Sequence, residues 1–333
     1  EDIVRQSDIS CEVLISDGGS KDATCRSASN ILEGAQLPWR LLAGKGGRGR
    51  QLNRAAMVAR GDWLLFLHAD CRLTDNNALS HGLALLKQAK AADGHDRTAA
   101  HFSLRFQDPG REGGFALFFC EAKARLDEPG CTHGDQGFLM SRRFFEEIGP
   151  FREDLPVMED TSLAEVVRGT GRWLLLPLEI ETSPRRFLAE GFFERQVLNA
   201  LLMNFLFIGW DDFLQQAPAI YRQQVQAGRL QLLPFWQEIN LRLKGMSVRQ
   251  RLRLWYATGR YVRSQVWQLA FFREARRTFQ SKGRVDDVSG VAPGRFRAWF
   301  DPLTNHPPGN LLAGFLTWVW FYGTYVKLRL QRE

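Results

Sequence analysis

The sequence predicts an α/β chain: a mostly parallel sheet flanked by helices, followed by a mainly α-helical, basic C-terminal region. Three observations predict it. Short apolar runs ending in Gly- and Asp-rich turns alternate with stretches of helical periodicity. Trp63 to Leu67 (WLLFL) is apolar throughout, as a strand covered on both faces must be. After about Arg222 the charge changes sign: residues 222–333 hold 19 Lys+Arg against 6 Asp+Glu, while the rest of the chain is net acidic.

Glu12 to Ser16 (EVLIS) reads as a buried strand that ends in the polar turn Asp17-Gly18-Gly19-Ser20. Trp39 to Ala43 is a second strand, closed by the Gly-rich stretch from Gly44 to Gly49. Arg50 to Arg60 then has helical spacing, with Leu52, Ala55, Ala56 and Ala59 on one stripe. Gly61-Asp62 turns the chain into the WLLFL strand, and His68-Ala69-Asp70 follows its end. Ala78 to Ala91 reads as a helix, Ala100 to Phe106 as a strand and Phe115 to Leu126 as a helix. In parallel sheets of this kind ligands sit beyond the carboxyl ends of the strands, so Asp17 and Asp70 are expected to line one crevice.

The second half of this region runs from His133 to Arg186. Gly134-Asp135-Gln136-Gly137 precedes a short apolar run, and Arg143 to Ile148 is a short helix stopped by Gly149-Pro150. Asp160 or Thr161 is expected to cap a helix whose apolar face is Leu163, Val166 and Val167. Trp173 to Leu176 is another strand. The organisation expected is residues 1–190 as the domain that holds the chemistry, 191–221 as its apolar helical extension, and 222–333 as a basic, aromatic-rich helical region.

Composition excludes several classes. Hydrophobic residues make up 44% and charged residues 24%, which rules out a disordered chain. The five cysteines include no C-x-x-C pair, which argues against a zinc ribbon and a disulfide scaffold; free thiols fit a reducing compartment such as the cytosol. No signal peptide is visible. Leu311 to Val326 is sixteen residues without a charge, short of the roughly 20 a span needs, so an interfacial or re-entrant helix is expected there.

Four segments in order make a more specific pattern: EVLISDGGSKDAT, GRGRQLNRAAMVARGDWLLFLHADCRL, HGDQGFLMSRRFFEEIGPF, and LPVMEDTSLAEVVRGTGRWLLLPLEIETSPRRF. Together they resemble family 2 glycosyltransferases of the GT-A fold, over roughly residues 12–221. The nearer resemblance is to the radical-SAM/selenodomain-associated subgroup. It implies transfer of a sugar from a nucleotide-diphosphate donor with inversion, aided by a divalent metal, Mg²⁺ or Mn²⁺. Asp70 matches the metal-binding acid of the family's D-x-D motif, and His68 stands at its first acid. Asp160 matches the catalytic base, with Glu159 beside it. Asp17 and Gly19 fall on the nucleoside-binding turn, where Gly18 replaces the family's second acid. Asn53 matches an Asn on the helix after the Gly-rich loop. His133, Asp135 and Gln136 fall on an acceptor-side motif, and Arg185 and Arg186 stand where many relatives carry Q-x-x-R-W. The family also opens with a strand that the eleven residues before Glu12 do not supply, so the resemblance implies a truncated start.

The residues support these roles physically. Lys45, Arg48 and Arg50 lie in or next to a Gly-rich loop that opens a helix, and amides and guanidinium groups there suit a diphosphate. A carboxylate in the crevice can take a proton from an acceptor hydroxyl. Each residue also has a plainer reading: a turn for Asp17 and Asp70, a helix cap for Asp160, a buried hydrogen-bonded ring for His68, solvated charge for the basic residues. The basic region suits an anionic membrane surface and a lipid-linked acceptor at the cytoplasmic face, with peripheral or monotopic attachment. Nucleic acid fits less well, since no RRM, KH or helix-turn-helix pattern is present. The rival readings are a sugar nucleotidyltransferase and a non-catalytic module that binds membrane or nucleic acid.

Overall fold

The computed structural model describes residues 1–107, 114–224 and 228–331. They fall into two compact units. The first contains residues 1–107 and 123–184, and the second contains 114–122 and 185–331. The expected extension from 191 to 221 belongs with the second unit, whose longer segment begins at Arg185 rather than after Tyr221.

In the first unit, β1 (Val13–Asp17) and β2 (Trp39–Ala43) form a parallel two-stranded sheet. Between them lies α1 (Thr24–Glu33), whose one buried residue is Leu32 and which the sequence reading does not mark. A second sheet has the order β3 (Trp63–Phe66), β5 (Phe138–Ser141), β4 (Thr98–Phe106), β6 (Arg172–Thr182). The α/β class is as the sequence reads, but this sheet is mixed rather than mostly parallel. β4 and β6 are parallel, while β5 runs antiparallel to both neighbours. Phe138 pairs with Phe66, so β5 begins where β3 ends. That direction brings the Gly134–Gly137 turn to the end of β3 that leads into His68 and Asp70.

Helices α2 (Arg48–Val58), α3 (Ala78–Asp93), α5 (Arg142–Ile148) and α6 (Glu159–Thr170) complete the unit. One core cluster joins α2, β3, β5 and α6 through Ala56, Phe66, Met140, Phe144, Phe151 and Val167. A second joins α3 to β4 and β6 through Leu79, Leu86, Phe102, Leu176 and Ile180. β6 runs well beyond the predicted Trp173 to Leu176. It crosses Pro177 at a register shift: Phe102 faces Leu176, but Ser103 faces Glu179. Pro is tolerated because β6 is an edge strand.

The second unit is helical: α4 (Gly114–Lys123, up to Ala122), α7 (Arg185–Glu190), α8 (Phe192–Ile208), α9 (Asp211–Arg222), α10 (Leu233–Gly245), α11 (Val248–Ser264), α12 (Trp267–Gln280), α13 (Val291–Thr304) and α14 (Pro307–Leu330). Phe115 and Phe119 of α4 pack on Phe272 of α12. No helix among the described residues is long and apolar enough to cross a membrane.

Candidate active site

α2 and α6 meet at their N-terminal ends. Gly49, in the first turn of α2, faces the Arg152 carbonyl and the Glu159 side chain; a Cβ there would stand 3.0 Å from that carbonyl oxygen. This close approach lets Arg48 reach both acids that open α6. Its Nε donates to Glu159 Oε1, and its Nη2 lies 3.6 Å from Asp160 Oδ1. Met158, at φ +67°, turns the chain into α6 and occupies the cap position. Asp160 is therefore not the predicted cap but a residue of the first turn, at the positive end of the helix dipole.

Asp160 is the hub. Its Oδ2 accepts the Gly134 amide at 3.0 Å, and its Oδ1 accepts the Thr161 amide at 2.8 Å. A Cβ on Gly134 would stand 2.5 Å from His68 Nε2 and 3.0 Å from Asp160 Oδ2. The tripeptide after β3, the turn before β5 and the start of α6 thus meet at one point. Burial pushes the Asp160 carboxyl up, but Arg48, His133, His68 and the Gly134 amide outweigh it, and the net result lies below the usual carboxylate range. Glu159 is fully buried; burial and the Asp160 charge raise it against the pull of Arg48. Burial lowers Arg48, and the two acids more than restore it.

The other predicted residues sort by contact. Asp135 is pushed up to about 7, first by burial and then by the Asp160 charge, with Arg48 opposing and Asp70 adding. Its Oδ1 is buried and meets no hydrogen-bond partner among the described residues. His133 Nδ1 lies 3.1 Å from Thr161 Oγ1, and burial holds its ring below the usual histidine range. Asp70 is exposed beside this group. Gln136 is fully buried and structural: its Nε2 donates to the Ala124 carbonyl at 2.7 Å and lies 2.9 Å from His101 Nδ1.

Asn53 does not face solvent or the crevice. Its Nδ2 donates to the Phe151 carbonyl at 2.9 Å and its Oδ1 accepts the Phe151 amide at 2.9 Å, so it brackets the loop before α6. Asp17 accepts the Gly19 and Ser20 amides and the Ser20 hydroxyl, which hold its carboxyl below the usual range. No contact joins Asp17 to Asp70 or Asp160 among the described residues. Lys45 is exposed, and Arg50 pairs with Glu153 at 3.7 Å. Arg185 and Arg186 open α7 in the second unit, both exposed.

Two side chains that sequence reasoning passed over hold the end of β1 and, in the case of Arg54, the Gly-rich loop. Arg54 Nη1 donates to the Asp17 carbonyl at 3.0 Å and Nη2 to the Lys45 carbonyl at 2.8 Å; Gln51 Nε2 donates to the Ser16 carbonyl at 2.7 Å. Both lie on α2 one turn or less from Asn53, and only their position on that helix hinted at a role.

The donor set fits a hard divalent cation. It offers carboxylate oxygens from Asp70 and from Asp135, whose buried oxygen lacks a partner among the described residues. No group of three or more His, Cys, Asp or Glu gathers to hold a metal among the described residues. Such an ion would take its remaining ligands from substrate oxygens and water, as Mg²⁺ commonly does.

An α/β domain with an acidic crevice at its strand ends, bordered by a basic Gly-rich loop, is the kind that handles phosphorylated nucleotides. Residues 1–149 match the family described as glycosyl transferase family 2. No curated protein matches the chain. Among solved structures, S. aureus TarS 1-349 is 16% identical with a TM-score of 0.41, covering 89% of this chain and 86% of that one. The mannosyltransferase PcManGT from Pyrobaculum calidifontis, solved in complex with GDP-Man and Mn²⁺, is 16% identical with a TM-score of 0.45, covering 96% and 81%.

Proposed function

We propose that the chain transfers a sugar, with inversion, from a nucleotide-diphosphate donor to an acceptor hydroxyl. We also propose that it falls within the radical-SAM/selenodomain-associated subgroup, which its HAD and GDQG segments resemble. The observation that carries the reading is the packing of Gly134 between His68 and Asp160, because it supports one crevice for the donor-side and acceptor-side motifs.

In this reading Asp160 takes the proton from the acceptor hydroxyl. Two backbone amides orient its carboxylate, and Arg48 keeps it charged through the neutral range. Glu159 holds Arg48 from below, and His133 borders the acceptor through Thr161. Arg48, 42% exposed, divides its charge between the acid pair and the donor diphosphate, with Lys45 and Arg50 at the loop rim. Asp17 and Gly19 shape the nucleoside turn. Asn53 and Gln136 act as positioning residues, not as ligands of donor or acceptor. Asp70, with Asp135 beside it, would hold Mg²⁺ or Mn²⁺. When bound, that ion supplies Lewis-acid stabilisation of the charge developing on the departing diphosphate. The acceptor is proposed to be lipid-linked, used at the inner face of a membrane.

Incubation with a panel of nucleotide-sugars, with and without Mn²⁺, tests this. Release of nucleoside diphosphate, lost in Asp160→Asn, supports it. Conversion of triphosphate and sugar phosphate to pyrophosphate would instead indicate a nucleotidyltransferase, and metal-independent absence of any nucleotide binding would overturn both.

A further inference from the structure

α11 and α14 lie against each other in the second unit and cross in backbone contact. A Cβ on Gly259 would stand 2.2 Å from the Asn310 carbonyl oxygen, and one on Gly314 would stand 2.6 Å from that of Trp255. Arg263 fastens the pair. It is buried, and its guanidinium donates to Asn310 Oδ1 at 3.0 Å, Asp301 Oδ1 at 3.0 Å and Asn305 Oδ1 at 2.9 Å. On its inner side α14 buries Phe321, which stacks on Trp236 and accepts its indole N–H at 3.0 Å.

The outer side has no such partner among the described residues. Leu311, Phe315, Trp318 and Tyr322 follow one another along α14, facing Val248, Leu252 and Trp255 of α11, and the two stripes line a groove with room for about 480 Å³. Phe315 is 59% exposed and Leu252 66%, and the neighbouring Leu312, Leu316 and Val319 are also open to solvent. Among monomeric soluble chains a continuous apolar face of this kind marks an interaction site.

Its charge selects the occupant. α11 and α14 contain no Asp or Glu. Arg249, Arg251, Arg253 and Arg260 stand exposed on α11, and Lys327 and Arg329 at the end of α14. A second copy would set these cations against their own kind. An anionic bilayer would pair with them while taking the apolar stripe, with Trp318 and Tyr322 at headgroup depth.

We infer that the α11–α14 face docks this chain on an anionic lipid bilayer, the groove receiving acyl chains and the arginines the headgroups. α14 lies in the interface rather than across it. This binding does not require turnover and stands apart from the reading of the first unit.

The test is co-sedimentation of the full chain with phosphatidylcholine vesicles, with and without phosphatidylglycerol. The expected result is binding to the anionic vesicles that weakens as salt is raised, with a blue shift of tryptophan emission. Phe315→Ser with Trp318→Ser abolishes it. Arg249→Glu with Arg253→Glu weakens it on the order of tenfold or more. Asp160→Asn binds as the parent does. Circular dichroism checks that each variant is folded. Equal binding to neutral vesicles, retention of binding by the folded serine variant, or a dimer that hides the face and leaves no vesicle binding would each overturn the inference.

Discussion

The Gly134 amide donates to Asp160 Oδ2 at 3.0 Å, so residues 26 positions apart share one hydrogen bond at the centre of the crevice. The bond works because Gly134 has no side chain. His68 closes over the same spot, and a single methyl group would collide with both neighbours.

Gly134→Ala is therefore expected to displace either His68 or Asp160. A shift near 1 Å at a reacting group costs roughly 10²-fold in rate. Turnover should fall by that order while nucleotide binding stays within a few-fold. Single-turnover rates compared with donor titrations check this; an unchanged rate would show that the contact does not position the acid.

Asp160→Asn keeps the shape and removes the proposed base. A loss of 10²- to 10⁴-fold in turnover is the expected scale for general-base removal. Donor binding, followed by thermal shift with a nucleoside diphosphate, should persist. Asp70→Asn should behave oppositely and lose the metal-dependent part of that shift.

Arg48→Gln removes the cation that Glu159 and Asp160 share. Asp160 is held below the usual range partly by this charge, so its carboxyl should rise when the charge goes. The acidic limb of the pH–rate profile then moves to higher pH. Glu159 Oε1 also loses its donor while buried, which costs about 1–3 kcal/mol. Chemical denaturation and the pH dependence of kcat/KM read the two effects separately.

Asp135, raised to about 7, makes stability depend on pH in the metal-free chain. Below about pH 4 folded and unfolded chains both hold the proton. Between about 4 and 7 the folded chain keeps a proton the unfolded chain has lost, so stability falls as pH rises, and the loss is complete above about 7. With chelator present, Asp135→Asn should melt higher than the parent at about pH 8 and equally at about pH 4. Added Mn²⁺ should raise the parent's Tm more at the higher pH.

Asn53→Ala tests the bracket on the loop before α6. Both main-chain polar groups of Phe151 lose their partner in a buried setting, an expected cost of about 2–4 kcal/mol. A melting curve matching the parent's would place the bracket's energy elsewhere.

Much of this was legible in the residues. Apolar runs located β1, β2, β3 and β4 to within two residues, because burial writes itself directly into side-chain type. The strand-end acids Asp17 and Asp70 stood out by their position after apolar runs, whereas the Glu159-Asp160 pair stood out only through its resemblance to the family's catalytic base. α1 was not read, although it buries Leu32 between the first two strands. Nor was the course of β6 past Pro177, which an edge position permits and a central one would not.

The sequence by itself determined which groups are available: carboxylates after strands, cations in a glycine loop, and a C-terminal third whose charge is opposite to the rest. Only the tertiary structure decided how they are used. It turned β5 antiparallel and so carried Gly134 to His68, and it pressed Gly49 against the start of α6 so that Arg48 could grip both acids. It also turned Asn53 and Gln136 inward as braces and left one apolar face of α11 and α14 open. The reason is physical: side-chain chemistry is local, whereas pKa, contact and exposure depend on what distant segments bring within a few ångströms.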